Sequence, residues 1–323
     1  MSRRMRITLA VTAFLVLSAG AVLYKLADRY LIEHVEVVLP DAPAASSGTG
    51  SSTGSNTAAS GTTSGTEGVS AKAQYDDWHY SSDQSEIAIQ KVETGSGSEK
   101  ITYFVADVTM KNGAVLQTAL AKNEFGRNIT ENTSAIAADH NAVLAINGDY
   151  YGFRSDGVII RNGVLYRDEP TREGLALFQD GTMEAYDEQS VRSSELLAQG
   201  VTNTFSFGPA LLKNGQPTSD FEHVEIDTNF GNRSIQSANP RTGIGIISPN
   251  HYVLVVVDGR ADNYSRGMTL AEFADLFQQL GCTDAYNLDG GGSSTMYFMG
   301  RVVNNPQGRD RERGVSDIVY VGA

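Results

Sequence analysis

The sequence predicts an α+β domain, a large and mostly antiparallel sheet system with a few packed helices, preceded by a transmembrane helix and a disordered linker. Three observations carry that prediction. Short β-type runs punctuated by Asn-Gly and Asp-Gly turns fill residues 76–323. Only two stretches in that segment carry helix signals. The residues before it divide into an apolar run and a Ser/Thr/Gly tract.

At the N-terminus, Arg3, Arg4 and Arg6 precede an uncharged run over residues 7–24. That run is just long enough to span a bilayer, and the arginines hold its leading end in the cytoplasm. Ala19-Gly20-Ala21 offers an alternative, a small-residue cleavage site that would release a secreted protein. Either way, the rest of the chain is expected outside the cytoplasm, as a single-pass membrane protein or a secreted one. Residues 46–66 are almost wholly Ser, Thr, Gly and Ala, with no large apolar residue to offset ordering. The expected organisation is therefore a stub and anchor over 1–40, a flexible linker over 41–75 and one domain over 76–323. Such a linker spans on the order of 30 Å.

Within the domain, Asn112-Gly113 between 101–110 and 114–120 predicts a hairpin. Asn162-Gly163 between 158–160 and 164–166 repeats the signal, as does Asp180-Gly181 between 175–178 and 183–186. Asn214-Gly215 is a fourth, and residues 248–251 join the apolar runs 243–247 and 252–257. A helix is expected over 131–140. A clearer one covers 270–280, where Thr269 and Glu272 form a capping box and Gly281 supplies the stop. Its Leu270, Phe273, Phe277 and Leu280 share one face, which is packing rather than chemistry.

Composition narrows the functions. The net charge of −13 argues against nucleic-acid binding, which needs a basic footprint. A single cysteine, Cys282, excludes a disulfide scaffold. The five histidines lack the paired spacing of a zinc hydrolase, so no metal site is expected from them.

The informative stretch is Asn287-Leu-Asp289-Gly290-Gly291-Gly292-Ser293-Ser294. A strand-like run ends in a carboxylate, followed by three glycines and then hydroxyls. Three glycines cost backbone entropy and pack nothing, but they let amides approach a ligand as an anion-binding nest requires. No Gly-Lys-Ser/Thr follows, so this is not a nucleotide P-loop. Four other clusters also place polar residues at the ends of apolar strands, as a loop-built active site does. They are Asn147-Gly-Asp149-Tyr150-Tyr151, Pro240-Arg241-Thr242, Asp258-Gly-Arg260 and the charge-dense run ending Glu312-Arg313.

Taken together, these motifs resemble the phosphodiester glycosidase family, whose type member is the uncovering enzyme and which is widespread in bacterial exopolysaccharide-related proteins. The resemblance runs through Asn147-Gly-Asp-Tyr-Tyr151, Pro240-Arg-Thr-Gly-Ile-Gly245, Val257-Asp-Gly259, the Met268–Phe273 stretch, the glycine loop and Arg313-Gly-Val-Ser316. Gly148-Asp149 departs from the animal pattern, and the animal cysteines are missing. The resemblance implies hydrolysis of the bond between an anomeric carbon and a phosphate oxygen in a phosphodiester-linked cell-wall or exopolysaccharide glycan. On that reading Asp289 is the catalytic carboxylate, with Asp258 or Glu312 as partner. Gly290, Gly291, Gly292, Ser293, Ser294, Arg241 and Arg313 bind the phosphodiester. Asn147, Asp149 and Thr242 complete the substrate set, and Tyr150 and Tyr151 stack on the sugar. The alternatives are a non-catalytic glycan-binding module, and a calcium-stabilised module using Asp149, Asp258 and Asp289.

Overall fold

A computed structural model of the chain describes residues 3–39, 73–218, 221–224, 226 and 235–323, with backbone alone at 3–11, 13 and 30. Among these residues antiparallel strands dominate, and there are four α-helices: α1 (Arg3–Tyr30), α2 (Thr133–Asp139), α3 (Ser193–Ala198) and α4 (Leu270–Gln279).

Two sheets carry the site. The larger has nine strands, and its centre runs Ala210–Lys213, Asp284–Leu288, Arg241–Ser248, His251–Val257, Ile101–Met110 and Ser85–Thr94. The smaller has five, in the order Arg301–Val302, Met296–Phe298, Ala142–Asn147, Asp317–Gly322 and Gln117–Leu120. Their facing sides close over one core, in which Phe104, Ile244, Leu254 and Leu288 meet Leu144, Ile146, Phe298 and Val319. Outside the large sheet, α4 packs Phe273 and Phe277 onto Val253, Val255 and Ala285. Outside the small sheet, Ile136 and Ala137 of α2 pack onto Ala145 and Ile318. Central strands covered on both faces are apolar throughout, which is why His251–Val257 reads as an unbroken hydrophobic run. Gly243 and Gly245 let α4 approach closely: a Cβ there would lie 2.8 Å from Phe273 and 2.7 Å from Cys282 Sγ.

The capping box at α4 forms as expected, with the Glu272 amide donating to Thr269 Oγ1 (3.2 Å) and the Thr269 amide donating to Glu272 Oε2 (2.9 Å). Asn162-Gly163, Asp180-Gly181 and Asn214-Gly215 each turn an antiparallel pair. Asn112-Gly113 does not. Its residues adopt the left-handed turn conformation, but both edges of Ile101–Met110 are already taken, by Ser85–Thr94 and by His251–Val257. The chain instead crosses to the small sheet, where Gln117–Leu120 pairs with Asp317–Gly322. Turn residues fix a local reversal; the partner is set by the longer ladder available.

The apolar run at 7–24 lies within α1. No helix among the described residues is long and apolar enough to cross a membrane, so the expected transmembrane helix is not part of the observed fold. Residues 40–72, most of the expected linker, lie outside the described residues. Just before them, His34–Val38 pairs with Glu124–Arg127 of the domain.

Candidate active site

Asp289 follows directly on the Asp284–Leu288 strand, and the glycine loop carries the chain from the large sheet into the small one at Met296–Phe298. The loop is tight. The Gly291 amide donates to the Pro240 carbonyl (2.9 Å), and a Cβ on Gly290 would lie 2.7 Å from that same oxygen. Gly291 has φ +64, a conformation that favours glycine. The Ser293 amide donates to the Gly290 carbonyl (3.2 Å). Two loop amides thus point inward, which removes them from the expected anion nest.

The Asp289 side chain is only 12% exposed, yet it meets the surface through Arg313, which is 45% exposed. Ser293 Oγ donates to Asp289 Oδ2 (2.6 Å), Arg313 Nη2 donates to the same oxygen (2.9 Å), and Arg313 Nε donates to Ser293 Oγ (3.1 Å). All three polar contacts lie on one side. Asp289 Oδ1 takes no hydrogen bond among the described residues. One carboxylate oxygen is clamped and the other is available.

A second guanidinium flanks the loop. A Cβ on Gly291 would come within 3.2 Å of both terminal nitrogens of Arg260, and one on Gly292 within 3.2 Å of Arg313 Cδ. Arg260 is aimed by Asn239, whose Oδ1 accepts from Arg260 Nη2 (2.8 Å) and Nε (3.2 Å). Neither Arg260 nor Asn239 is among the expected site residues. The signal that singles out Arg241, a cation at a strand end, is equally present in Arg260.

Several expected ligands hold the site together instead of facing it. Asn147, fully buried, accepts from Thr242 Oγ1 (2.7 Å) and from the Thr295 amide (3.2 Å), and donates to the Asp289 carbonyl (2.7 Å). It therefore stitches both sheets to the loop, and Thr242 belongs to that stitch. Asp149 is drawn into a buried ion network. Arg161 lies between Asp149 Oδ2 (3.2 Å) and Asp317 Oδ2 (2.6 Å). Gly148 is needed there because a Cβ would lie 2.2 Å from Asp317 Oδ1. Tyr151 is buried, stacks on Phe125 (5.1 Å) and donates to the Ser316 carbonyl, so it cannot be a sugar platform. Tyr150 stacks on Phe153 (4.7 Å).

Arg241 is likewise buried, donating to the carbonyls of Met268, Ile235 and Ser237. Burial, with Arg260 adding like charge, brings its guanidinium down to about 10. It braces the site from behind. Asp258 accepts from Tyr264 Oη (2.7 Å), Asn304 Nδ2 (2.8 Å) and the Asn305 amide (3.0 Å), and Asn304 also donates to the Ser294 carbonyl. Burial raises its carboxyl against those bonds. Asp258 is thus a clasp behind the loop, not a partner facing Asp289.

Glu312 turns away altogether, accepting from the Ser134 amide (2.9 Å) and hydroxyl at the start of α2. Replacing it by Ala should leave turnover within about twofold and lower stability by roughly 0.5–2 kcal/mol, a capping loss. Assay and thermal melt on the same preparation check this; a large fall in turnover would restore Glu312 to the chemistry. The three carboxylates of the calcium reading sit in three separate networks. No group of three or more metal-ligating side chains occurs among the described residues.

A sequence profile of the phosphodiester glycosidase family matches residues 140–322, a span containing every residue of this loop and its supports. The chain belongs to that family. The SPbeta prophage-derived protein YomE of Bacillus subtilis is 32% identical over 228 residues, 64% of this chain and 34% of that protein. Human N-acetylglucosamine-1-phosphodiester alpha-N-acetylglucosaminidase is 27% identical over 213 residues, 60% of this chain and 40% of the human protein. The chain thus spans well under half of these relatives. Among solved structures, the catalytic domain of the zebrafish enzyme, auto-inhibited by its pro-peptide, superposes with a TM-score of 0.58. The match has 20% identity and covers 78% of this chain and 88% of that one. It establishes a shared phosphodiester glycosidase fold.

Proposed function

We propose that this chain hydrolyses the bond between the anomeric carbon and the phosphate oxygen of a sugar-1-phosphodiester in an extracytoplasmic cell-wall or exopolysaccharide glycan. The observation that carries this reading is Asp289, with Oδ2 held by Ser293 and Arg313, Oδ1 without a hydrogen bond among the described residues, and Arg260 flanking the same loop at Gly291. Asp289 acts at the anomeric carbon. Water ends as the C1 hydroxyl, its other proton passing through Asp289 to solvent, while the C1–O bond breaks and its electron pair leaves with the phosphate. A phosphate monoester is already a good leaving group, so one carboxylate and cations to hold the departing charge suffice. The reading therefore needs neither Asp258 nor Glu312, both of which are engaged elsewhere. Arg313 and Arg260 match the two phosphate oxygens as planar donors.

The extracytoplasmic location rests on the arginine-led uncharged run at 7–24 and the small-residue cleavage pattern Ala19-Gly20-Ala21, as in a secretory signal. One assay tests both parts. Purified protein should release free sugar and a phosphomonoester from a synthetic N-acetylglucosamine-1-phosphodiester, followed by ion-exchange chromatography. Intact cells expressing the chain should turn over the same impermeant substrate. Inactive purified protein sinks the activity, and activity confined to lysed cells sinks the location.

A further inference from the structure

Away from the Asp289 loop, a cleft of about 650 Å³ opens between the end of α1 and the segment 152–156. Its charge is opposite to that of the whole chain. Five cations line it: Lys25 and Arg29 of α1, then Arg127, Arg154 and Arg172. Among the described residues two acids stand against them, and both are engaged. Asp28 pairs with His34 (3.2 Å) and Asp156 with Arg172 (2.7 Å). Neither Lys25 nor Arg127 has an ion pair among the described residues. Arg154 is held rigid between the rings of Tyr150 and Phe207, 5.2 Å from each, with its nitrogens donating to the carbonyls of Ser206 and Ile226. The wall facing it is fixed too, because Asn128 Nδ2 donates to the carbonyls of Asp28 (3.1 Å) and Ile32 (2.7 Å) and so docks the end of α1.

In a protein of net charge −13, a concave surface lined by five cations focuses positive potential where little else does. Its volume lies within the range of small-ligand sites. We propose that this cleft binds a phosphate group of an anionic ligand, separately from the Asp289 site. Guanidiniums offer forked donors to the phosphate oxygens, and Lys25 adds a mobile point charge from the rim. Two sources share that chemistry, the phosphates of a glycan chain and the headgroup of an anionic lipid.

The test uses the full chain in neutral detergent, titrated with inorganic pyrophosphate, and separately mixed with phosphatidylglycerol or phosphatidylcholine vesicles. Wild type should bind pyrophosphate, with affinity falling as salt rises. The double variant Lys25→Ala/Arg127→Gln should weaken that binding at least tenfold with an unchanged melt, since both side chains lack ion-pair partners among the described residues. In an Arg260→Ala/Arg313→Ala background, which removes the cations at the Asp289 loop, the cleft's pyrophosphate binding and its loss in the double variant should both persist, so the result stands apart from the catalytic proposal. Capture on phosphatidylglycerol but not phosphatidylcholine vesicles, lost in the double variant, supports the site and assigns it to lipid. Pyrophosphate binding without vesicle capture supports it and assigns it to glycan phosphate. No binding of either probe, or binding that survives the double variant, overturns it.

Discussion

Replacing Asp289 by Asn should abolish turnover by a factor on the order of 10³ or more while leaving the protein folded. The amide oxygen of Asn can still accept from Ser293 Oγ and Arg313, which now share the carboxylate oxygen Oδ2. The loop geometry therefore survives, while the open oxygen Oδ1 becomes an NH₂ that can neither accept a proton nor bond carbon. General-base assistance contributes about 10²–10⁴ in rate, and a negative charge beside a developing oxocarbenium adds to that. Arg313→Ala should act on both constants. On the proposed reading half-exposed Arg313 holds the departing phosphate charge as well as Asp289 Oδ2, so its loss should lower kcat and raise KM together. The decisive comparison is turnover on a sugar-1-phosphodiester alongside thermal melts. Activity of the Asn variant within tenfold of wild type would falsify the assignment of Asp289.

The largest effect on stability is expected at Arg161→Met. Arg161 is buried between Asp149 and Asp317, and its Nε also donates to Asp317 Oδ2 (2.8 Å). Removing one partner of a buried ion network leaves charges uncompensated and costs about 3–5 kcal/mol, a fall in Tm of roughly 10 °C for a domain of this size. The pH dependence carries a distinctive sign. Burial pushes the Asp317 carboxyl above the usual carboxylate range, opposed by Arg161. A raised folded value means the fold holds that proton more tightly than the unfolded chain. Stability from this group is thus present below about pH 4 and lost as the pH rises toward the raised value. Without Arg161 the carboxyl rises further, so the deficit of the variant should be larger at pH 8 than at pH 5. Adding Asp317→Asn should recover part of it. A variant that melts with wild type at both pH values would strip the network of its stabilising role.

The two variants also separate what is legible in the sequence from what is not. The glycine loop is readable because only glycine tolerates a carbonyl 2.7 Å from its Cβ position, as at Gly290, and because the carboxylate and hydroxyls beside it are local to one segment. The hairpins at Asn162-Gly163 and Asp180-Gly181 are readable for the same local reason. Asn147, Asp149, Tyr151 and Arg241 stand out as polar residues at strand ends, and Asn147 bonds directly to the Asp289 carbonyl. Their side chains nonetheless turn inward, and the direction depends on partners such as Thr242 or Ser316, 95 and 165 residues away in sequence. Arg161 closes an apolar strand and so carries the same local signal as Arg241, but nothing local shows its burial in an ion network, because its partner Asp317 is 156 residues further on. Strand Ser85–Thr94 is hidden because its loop to Ile101–Met110, residues 95–100, is longer than the two-residue Asn-Gly and Asp-Gly turns, although Ile87 and Ile89 alternate toward the core.

The Asp289 loop is the stretch of chain that leaves one sheet and enters the other, and Asn147 bonds it to strands of both. No single sheet owns the site. The position of Asp289 is thus a property of the seam: a substitution that shifts one sheet against the other moves this carboxylate even where neither ladder is touched.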